Sequence, residues 1–367
     1  MPEKPMKIAL VGASTLMGKA LGDELANSAF ASADLYLLDG ADEVGKLVTA
    51  ADEVAIIQQL EDDSFDRCDF AFFVGPREQT LQYWRRALQA GARVIDLSGA
   101  LEQEPGVIVR APWLQEESLT SAANSTQSIP AGPDLQTRAV VSAHPVSVLL
   151  ALLAHRSQSA APLRNLWATL LQPASEYGHA ALEELHQQTT NLLSFQPLTT
   201  EVFGSQTAFN LVVSLGSEGR FRLMDAFETI RRDYEKILPG QIAPLALQVV
   251  QVPVFHGYAL SISLEFNQPV SFETLTEALA GPHVRVLADP AHFPGNVQAV
   301  EEQDAQVLLQ PVPSETSSVK SAASESSAVP TTRFWLWVVA DNLNFAARNA
   351  IACAVELNRL RPRGTVQ

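Results

Sequence analysis

The chain has 367 residues, 47% of them apolar, which at roughly 150 residues per domain is enough for two ordinary cores and excludes disorder of the whole chain. Asp and Glu number 41 against 25 Lys and Arg, a formal charge of −16 with no basic block, so a nucleic-acid groove, which needs clustered cations, is excluded. The two cysteines, Cys68 and Cys353, lie far apart and fit neither a disulfide framework nor a zinc ribbon, which points to a reducing, cytoplasmic setting.

The first residues, Met1 to Lys7, lead into an apolar run too short for a secretion signal, and no membrane segment is expected. The longest apolar stretch, 139–154, contains His144 and Pro145 and falls short of the ~20 residues that span a bilayer.

In chain order, Ile8-Ala9-Leu10-Val11 predicts a strand, and Leu16, Ala20, Leu21 and Leu25 share one side of a helix over 16–26. Further continuous apolar runs at 35–38, 70–74 and 94–97 alternate with helical segments such as 80–90. Strands apolar on both faces, alternating with helices, predict a doubly wound, Rossmann-like parallel sheet. The stretch 139–154 predicts a strand running into a buried helix.

Between the first strand and first helix lies Gly12-Ala13-Ser14-Thr15-Leu16-Met17-Gly18, where a dinucleotide-binding turn belongs. The free N–H groups and positive dipole end of the helix would hold a pyrophosphate. Thr15 stands at the middle small position and hinders the closest backbone approach, so Gly12 and Gly18 also read simply as a tight turn with close helix packing. Asp39 ends the second strand, where a carboxylate would accept from a ribose 2′-OH and favour NAD over NADP; it also reads as a solvated loop residue.

After about residue 145 the pattern changes. Longer strands of alternating polarity at 245–266 and amphipathic helices at 180–193 and 225–238 predict an α+β domain with a largely antiparallel sheet. Residues 314–330 are rich in Ser and Ala and predict a flexible loop. A strand at 334–340 and a helix at 345–360 close the chain. The expected division is 1–143, completed by about 331–367, and 144–330.

The turn at 12–18, Val94-Ile95-Asp96-Leu97-Ser98-Gly99-Ala100, Ala208-Phe209-Asn210-Leu211, Val252-Pro253-Val254 and Ala340-Asp341-Asn342-Leu343 follow one another in the order found in the aspartate-semialdehyde dehydrogenase family, which the chain resembles over nearly all its length. Within that family it is most similar to the Usg-type paralogues, which lack the catalytic cysteine and share the strand end Val339 to Asn342. The resemblance implies a Rossmann-like NAD(P) domain, an α+β dimerisation and substrate domain, a homodimer, and reduction of β-aspartyl phosphate with NADPH through a cysteine thioester and a histidine acid/base. A thiolate at a helix N-terminus is the nucleophile such a step needs.

Laid on this sequence, the family pattern puts Val146 at the nucleophile position and Tyr258 at the histidine position. Gln251 stands where an arginine clamps the substrate carboxylate, and Glu102 where an arginine is expected near the phosphate. Gln172 matches the glutamine of the substrate pocket, with Glu176 where glycine is usual. Valine forms no thioester, and tyrosine, titrating near 10, is a poor base at neutral pH.

Replacement chemistry has little to draw on. Ser147 and His256 would make a hydrolase-like pair, but no Gly-x-Ser-x-Gly elbow is present, and Ser147 is expected to bond within its own helix. His179 and His186 share a helix face with Glu183, without the spacing of a metal motif, and no metal is expected. Two readings of function stand. One is a dimeric paralogue without semialdehyde dehydrogenase activity that binds a nucleotide or a protein. The other is an NAD(P)-dependent oxidoreductase of altered chemistry, acting on an aldehyde or oxo group in amino-acid biosynthesis.

Overall fold

The computed structural model describes residues 5–50, 53–120, 130–238, 244–287, 294–300, 302–312 and 329–360. The chain divides into two compact units, Met1–Pro145 with Ala346–Gln367, and Val146–Phe345.

The first unit holds β1 (Lys7–Val11), α1 (Leu16–Ala26), β2 (Asp34–Asp39), the antiparallel ribbon β3 (Leu47–Ala50) and β4 (Glu53–Ile56), and β5 (Gln58–Gln59). It continues through β6 (Phe70–Phe73), α2 (Arg77–Gln89), β7 (Arg93–Asp96), β8 (Ile108–Arg110), α3 (Pro112–Thr120) and β9 (Ala139–Ser142). Seven strands form a sheet in the order β5-β2-β1-β6-β7-β9-β8, each pairing parallel. The alternation in β1 shows why the sheet is covered twice. Ile8 and Leu10 pack with Leu21 and Leu25 of α1, while Ala9 and Val11 pack with Trp84 and Ala87 of α2 on the other face.

The second unit opens with α4 (Pro145–Ala160), whose residues Val146 to Ala154 are all buried, as in a helix apolar all round. Next come β10 (Leu163–Gln172), α5 (His179–Leu193), α6 (Leu223–Ile237), β11 (Leu245–Gln251) and β12 (Tyr258–Val270). After these follow α7 (Phe272–Leu279), β13 (Val284–Leu287), α8 (Asn296–Ala299), β14 (Ala305–Pro311) and β15 (Thr331–Ala340). The sheet order is β11-β10-β12-β15-β14-β13. Its three central pairings are antiparallel, as expected, while β10–β11 and β13–β14 at the two edges are parallel, so the sheet is mixed. The parallel pairs arise because helices α5 and α6, and α8, cross between their strands.

The core-facing stripe of this sheet is Leu166, Ala168 and Leu170 on β10, Leu264, Ile262 and Leu260 on β12, and Phe334, Leu336 and Val338 on β15, all buried. The opposite face carries Trp167, Ser263 and Trp335 in one cross-strand row and Thr169, Ser261 and Trp337 in the next. Ala299 of α8 packs against Trp337, leaving Trp167 and Trp335 at 41% and 48% exposure.

Two expectations change. Residues 331–340 form β15 of the second sheet, laddered against β12 and β14, and do not complete the first unit. The return begins at Ala346, within α9 (Asn342–Arg359). The flexible loop expected at 314–330 lies outside the described residues up to 328.

In the first unit, Ala347, Ala350, Ile351, Ala354 and Leu357 of α9 pack on the face that α1 also covers. A buried polar tie accompanies them. The guanidinium of Arg110, 4% exposed, donates from Nε at 3.0 Å and Nη2 at 2.5 Å to the Glu356 carboxylate, and to Gln115. Breaking one half of a buried pair leaves an uncompensated charge. Because Glu356 retains some exposure, Glu356→Ala is expected to cost about 2 kcal/mol in urea unfolding, below the range for fully buried pairs. A loss under ~0.5 kcal/mol, the level of an exposed pair, would show that the tie is surface-like.

Candidate functional site

The first candidate region is the turn after β1. The sheet order reverses between β1 and β6, and open parallel sheets bind ligands at such a point. Gly12 has φ +91°, and a Cβ there would lie 2.3 Å from the Gly75 nitrogen after β6. A Cβ on Gly18 would lie 2.4 Å from the Gly12 carbonyl oxygen, so both positions require glycine. Thr15 caps α1. Its hydroxyl accepts from the Gly18 N–H at 2.9 Å and donates to the Gly12 carbonyl at 2.8 Å.

The remaining donors of this turn are mostly spent. Gly12 and Ala13 donate to the Leu38 carbonyl at 2.9 and 3.2 Å, and Ser14 donates to Asp39 Oδ2 at 3.0 Å. The helix geometry leaves the N–H groups of Leu16 and Met17, at the positive end of the α1 dipole, as those able to meet an anion. Packing alone therefore accounts for both glycines, and any capacity for phosphate rests on these two N–H groups.

Asp39 lies beside this turn. It is 5% exposed, and besides Ser14 it accepts from the Gly40 N–H at 2.8 Å and from Gln79 Nε2 at 3.2 Å. A carboxylate so buried and so engaged braces the turn and is not a solvated loop residue.

The Asp96-to-Glu102 segment forms a second braced turn in this unit. Buried Asp96 accepts from the Ser98 N–H at 2.7 Å, the Ser98 hydroxyl at 2.6 Å and the Leu101 N–H at 2.8 Å. Burial pushes its carboxyl above the usual range, and these bonds together with Arg77 counter the shift. Arg77 Nη1 donates to the Ser98 carbonyl at 3.1 Å. A Cβ on Gly99 would meet Glu102 Oε1 at 3.2 Å and Arg77 Nη1 at 3.3 Å, so a cation flanks the same glycine as Glu102. Arg77 opens α2, far from Glu102 in sequence, and nothing in the motif pointed to it.

The second candidate region lies within the other unit, where the core-facing stripes end. Each of three strands closes its apolar stripe on a polar residue at the same end of the sheet. These are Gln172 on β10, Gln251 on β11 and Tyr258 on β12, at 0%, 0% and 1% exposure. Gln172 pairs with Gln251, and the register Leu171↔Ala259 brings Gln172 and Tyr258 to adjoining positions. Ser175, Glu176 and Tyr177 follow β10 in a single 3₁₀ turn, and Asp341 and Asn342 follow β15.

Tyr258 donates its hydroxyl to Glu176 Oε2. Full burial, then the neighbouring Glu176 carboxylate, push the phenol well above its usual range, so it stays protonated. Asn342 Oδ1 accepts from the Ser175 hydroxyl and the Gly257 N–H, both at 3.1 Å. Gln251 Nε2 donates to the Val252 carbonyl at 3.1 Å. Beside these, Gln251 Oε1 and Asn342 Nδ2 are buried without a partner among the described residues, while the Gln172 side chain and the Tyr177 hydroxyl lie within hydrogen-bonding reach of one another. Buried polar atoms of this kind are met by ordered water or by a ligand. Tyr177 was not singled out from the sequence, and Asn342 only as part of the strand-end motif, because the strand register is what shows that they border the row.

The other residues singled out fall as follows. Val146 is wholly buried in the first turn of α4. Ser147 is also buried, and its hydroxyl donates to the Ile230 carbonyl of α6 at 2.8 Å, not within its own helix and not to His256. His256 precedes the start of β12, and Gly257, with φ +83°, turns the chain between them, so His256 does not share a strand face with Tyr258. Both cysteines are buried; burial pushes Cys68 up to about 11 and raises Cys353 further. Among the described residues no group of three or more His, Cys, Asp or Glu is placed to hold a metal, and no helix is long and apolar enough to cross a membrane.

A doubly wound unit paired in one chain with a mixed-sheet α+β unit is the plan of the two-domain α/β dehydrogenases. Comparison with known proteins narrows this. Residues 7–122 match the family model for the semialdehyde dehydrogenase NAD binding domain, and residues 157–319 that for the semialdehyde dehydrogenase dimerisation domain. The chain belongs to the semialdehyde dehydrogenase family, as its motifs imply. It is 28% identical to a USG-1 protein homolog of Pseudomonas aeruginosa over 95% of this chain and 96% of that one. It is 23% identical to the aspartate-semialdehyde dehydrogenase of Rickettsia bellii over 96% and 98%. Its fold superposes on a solved probable aspartate-semialdehyde dehydrogenase from Pseudomonas aeruginosa with a TM-score of 0.78, at 26% identity and covering 97% and 99% of the two chains.

The Tyr258–Glu176 bond has a signature in alkali. The folded phenol titrates above the ~10 of an unfolded tyrosine, so its contribution to stability is complete below pH ~10 and is lost as pH rises toward the folded value. Denaturant titrations at pH 9 and pH 11 are expected to show a smaller alkaline loss in Tyr258→Phe than in the unaltered protein. Equal losses would mean that Tyr258 titrates normally.

Proposed function

We propose that this chain is a dimeric member of its family that does not perform semialdehyde dehydrogenase chemistry and acts by binding a nucleotide or a protein. The observation that carries this reading is the pair Val146 and Tyr258: an aliphatic side chain where a thioester would form, and a phenol whose proton is held toward Glu176. Loss of a nucleophile removes on the order of a million-fold in turnover, and loss of its partner base adds little because the two act as a unit. Neither cysteine offers a replacement, since burial keeps both thiols protonated at neutral pH. Gln251 brings no charge to clamp a carboxylate, so the original substrate would also be held poorly.

The alternative, hydride transfer to an aldehyde or oxo group with Tyr258 or His256 as acid, has less behind it. A phenol shifted upward gives up its proton less readily, and His256 stands outside the row that Gln172, Gln251 and Tyr258 form.

The turn at 12–18 is suited to the phosphates of NAD or NADP, which Leu16 and Met17 would meet through their N–H groups while Gly12, Ala13, Ser14, Thr15 and Gly18 shape the turn. Bound there, a nicotinamide would supply hydride exchange. In this reading Asp39 fixes the turn and does not choose between NAD and NADP.

The sheet face bearing Trp167 and Trp335 supports the homodimer. Two half-exposed tryptophans line a groove with Thr169, Gln248, Ser261 and Ser263, and covering such a face is what a self-complementary partner does. The acidic composition, the two buried thiols and this dimer fit a cytoplasmic protein.

Two measurements test the reading. Semialdehyde oxidation by the unaltered protein is expected to be absent, and turnover within a thousand-fold of an active family enzyme would overturn the proposal; Val146→Cys with Tyr258→His serves as the matched variant. Light scattering at micromolar concentration is expected to give a dimer, and Trp335→Glu a monomer. A monomeric unaltered protein would contradict the assembly.

A further inference from the structure

We propose that the outward face of the β3–β4 ribbon in the first unit is a docking surface for a cationic amphipathic segment of another protein, an apolar stripe bordered by Lys or Arg. The proposal rests on the protein-binding part of the reading above, for which it names a partner class, and it uses none of the residues on which the loss of family chemistry turns.

The ribbon is anchored on one side only. Val48 of β3 and Ala55 of β4, opposite one another in the register, pack against the core cluster that holds Leu21 and Leu25 of α1. Because side chains alternate along each strand, Leu47, its partner Ile56, and Val54 face the other way. These three are 67%, 59% and 66% exposed, and Val44, just before the ribbon, is exposed as well. Folding gains little from apolar side chains so open to water, since threonine suits a strand equally well. An apolar face on a two-stranded ribbon also invites edge-to-edge association, which natural sheets blunt with charge. Single exposed apolar residues are ordinary, but a cluster of them rimmed by charge marks a contact surface.

Charge selects the occupant. Residues 41–63 carry seven carboxylates and a single cation, Lys46. Lys46 is committed to Glu43 at 2.9 Å, while Asp42 stands exposed in the 3₁₀ turn that leads into Val44, and Glu61 and Asp63 stand exposed after β5. Asp39 pairs with Gln59, so these two acidic stretches leave the sheet at the same end. A second copy of this chain would bring the same acidic rim and a net charge of −16, and an anionic lipid surface or nucleic acid would bring more negative charge still. A segment that fills the apolar face and answers the rim is apolar along one stripe with cations at its borders. The face measures roughly 5 Å across the strands and roughly 7 Å along them. That is the footprint of one helical stripe with apolar residues at i, i+3 and i+4.

The test titrates the full-length protein against three labelled peptides by fluorescence anisotropy: a Leu/Lys peptide with Leu at helical spacing, a scramble of the same composition, and a Leu/Glu analogue. Saturable binding of the Leu/Lys helix, at least ten-fold tighter than the scramble, is expected, with no binding of the Leu/Glu analogue. Leu47→Thr with Ile56→Thr, checked for fold by circular dichroism, is expected to weaken it at least ten-fold, Val54→Thr to weaken it less, and Trp335→Glu to leave it unchanged. Equal binding of the scramble, no binding of any peptide, or undiminished binding by the folded double variant overturns the proposal. A change in assembly size on making the double variant, with no peptide present, overturns it too, because the face would then belong to a second copy. Semialdehyde turnover on the same sample keeps the two readings apart. Turnover alongside selective peptide binding would sink the loss of family chemistry alone, whereas absence of turnover with no peptide binding would sink this inference alone.

Discussion

Tyr258 donates its proton to Glu176 from a position with almost no solvent contact, and the chemistry open to the second unit is set by that bond. A phenol in this setting is a poor base because its conjugate anion is disfavoured by burial and by the carboxylate beside it. It is a poor acid for the same reason. On the reading proposed above, in which Tyr258 stands at the family's histidine position, the protonation state there is fixed over the physiological range. On the same reading Val146 leaves a general base nothing to activate. The two residues are separated widely in sequence, yet each alone would make the other futile.

The first unit meets a different constraint. Its turn must bring α1 close to the end of β1 while β6 delivers Gly75 against Gly12, and only glycine fits at 12 and 18. Asp39 and Thr15 then satisfy the donors that this crowding exposes. The same glycines serve fold and ligand in nucleotide-binding turns, so their presence marks the fold more securely than it marks a bound cofactor. Two backbone donors at a helix end carry what phosphate affinity the turn has, with Arg77 as a nearby cation on the neighbouring turn.

Much of the architecture was legible in the sequence because burial on both faces leaves a trace in each strand. Ile8 to Val11 and Phe70 to Val74 are apolar without interruption, and α4 is apolar all round. The family motifs supplied the order of the units, and the placing of Val146, Gln172, Gln251 and Tyr258 at the family's site positions belongs to the reading proposed above. What stayed hidden depends on pairing between distant segments. A strand does not reveal whether its neighbour runs parallel, so β10–β11 and β13–β14 were not foreseen. Ser147 finds its acceptor on α6 and Asp39 finds Ser14 and Gln79, contacts that local patterns do not encode. The partnerless atoms of Gln251 and Asn342 become visible only when the strand ends are aligned.

The central claim is that no acyl group can be held covalently at residue 146. Intact-mass spectrometry of the unaltered protein, quenched after mixing with aspartate semialdehyde and NADP, tests this directly without depending on turnover. The account predicts a single species of unchanged mass at all times. An acylated species that accumulates with NADP and is released by phosphate would contradict it.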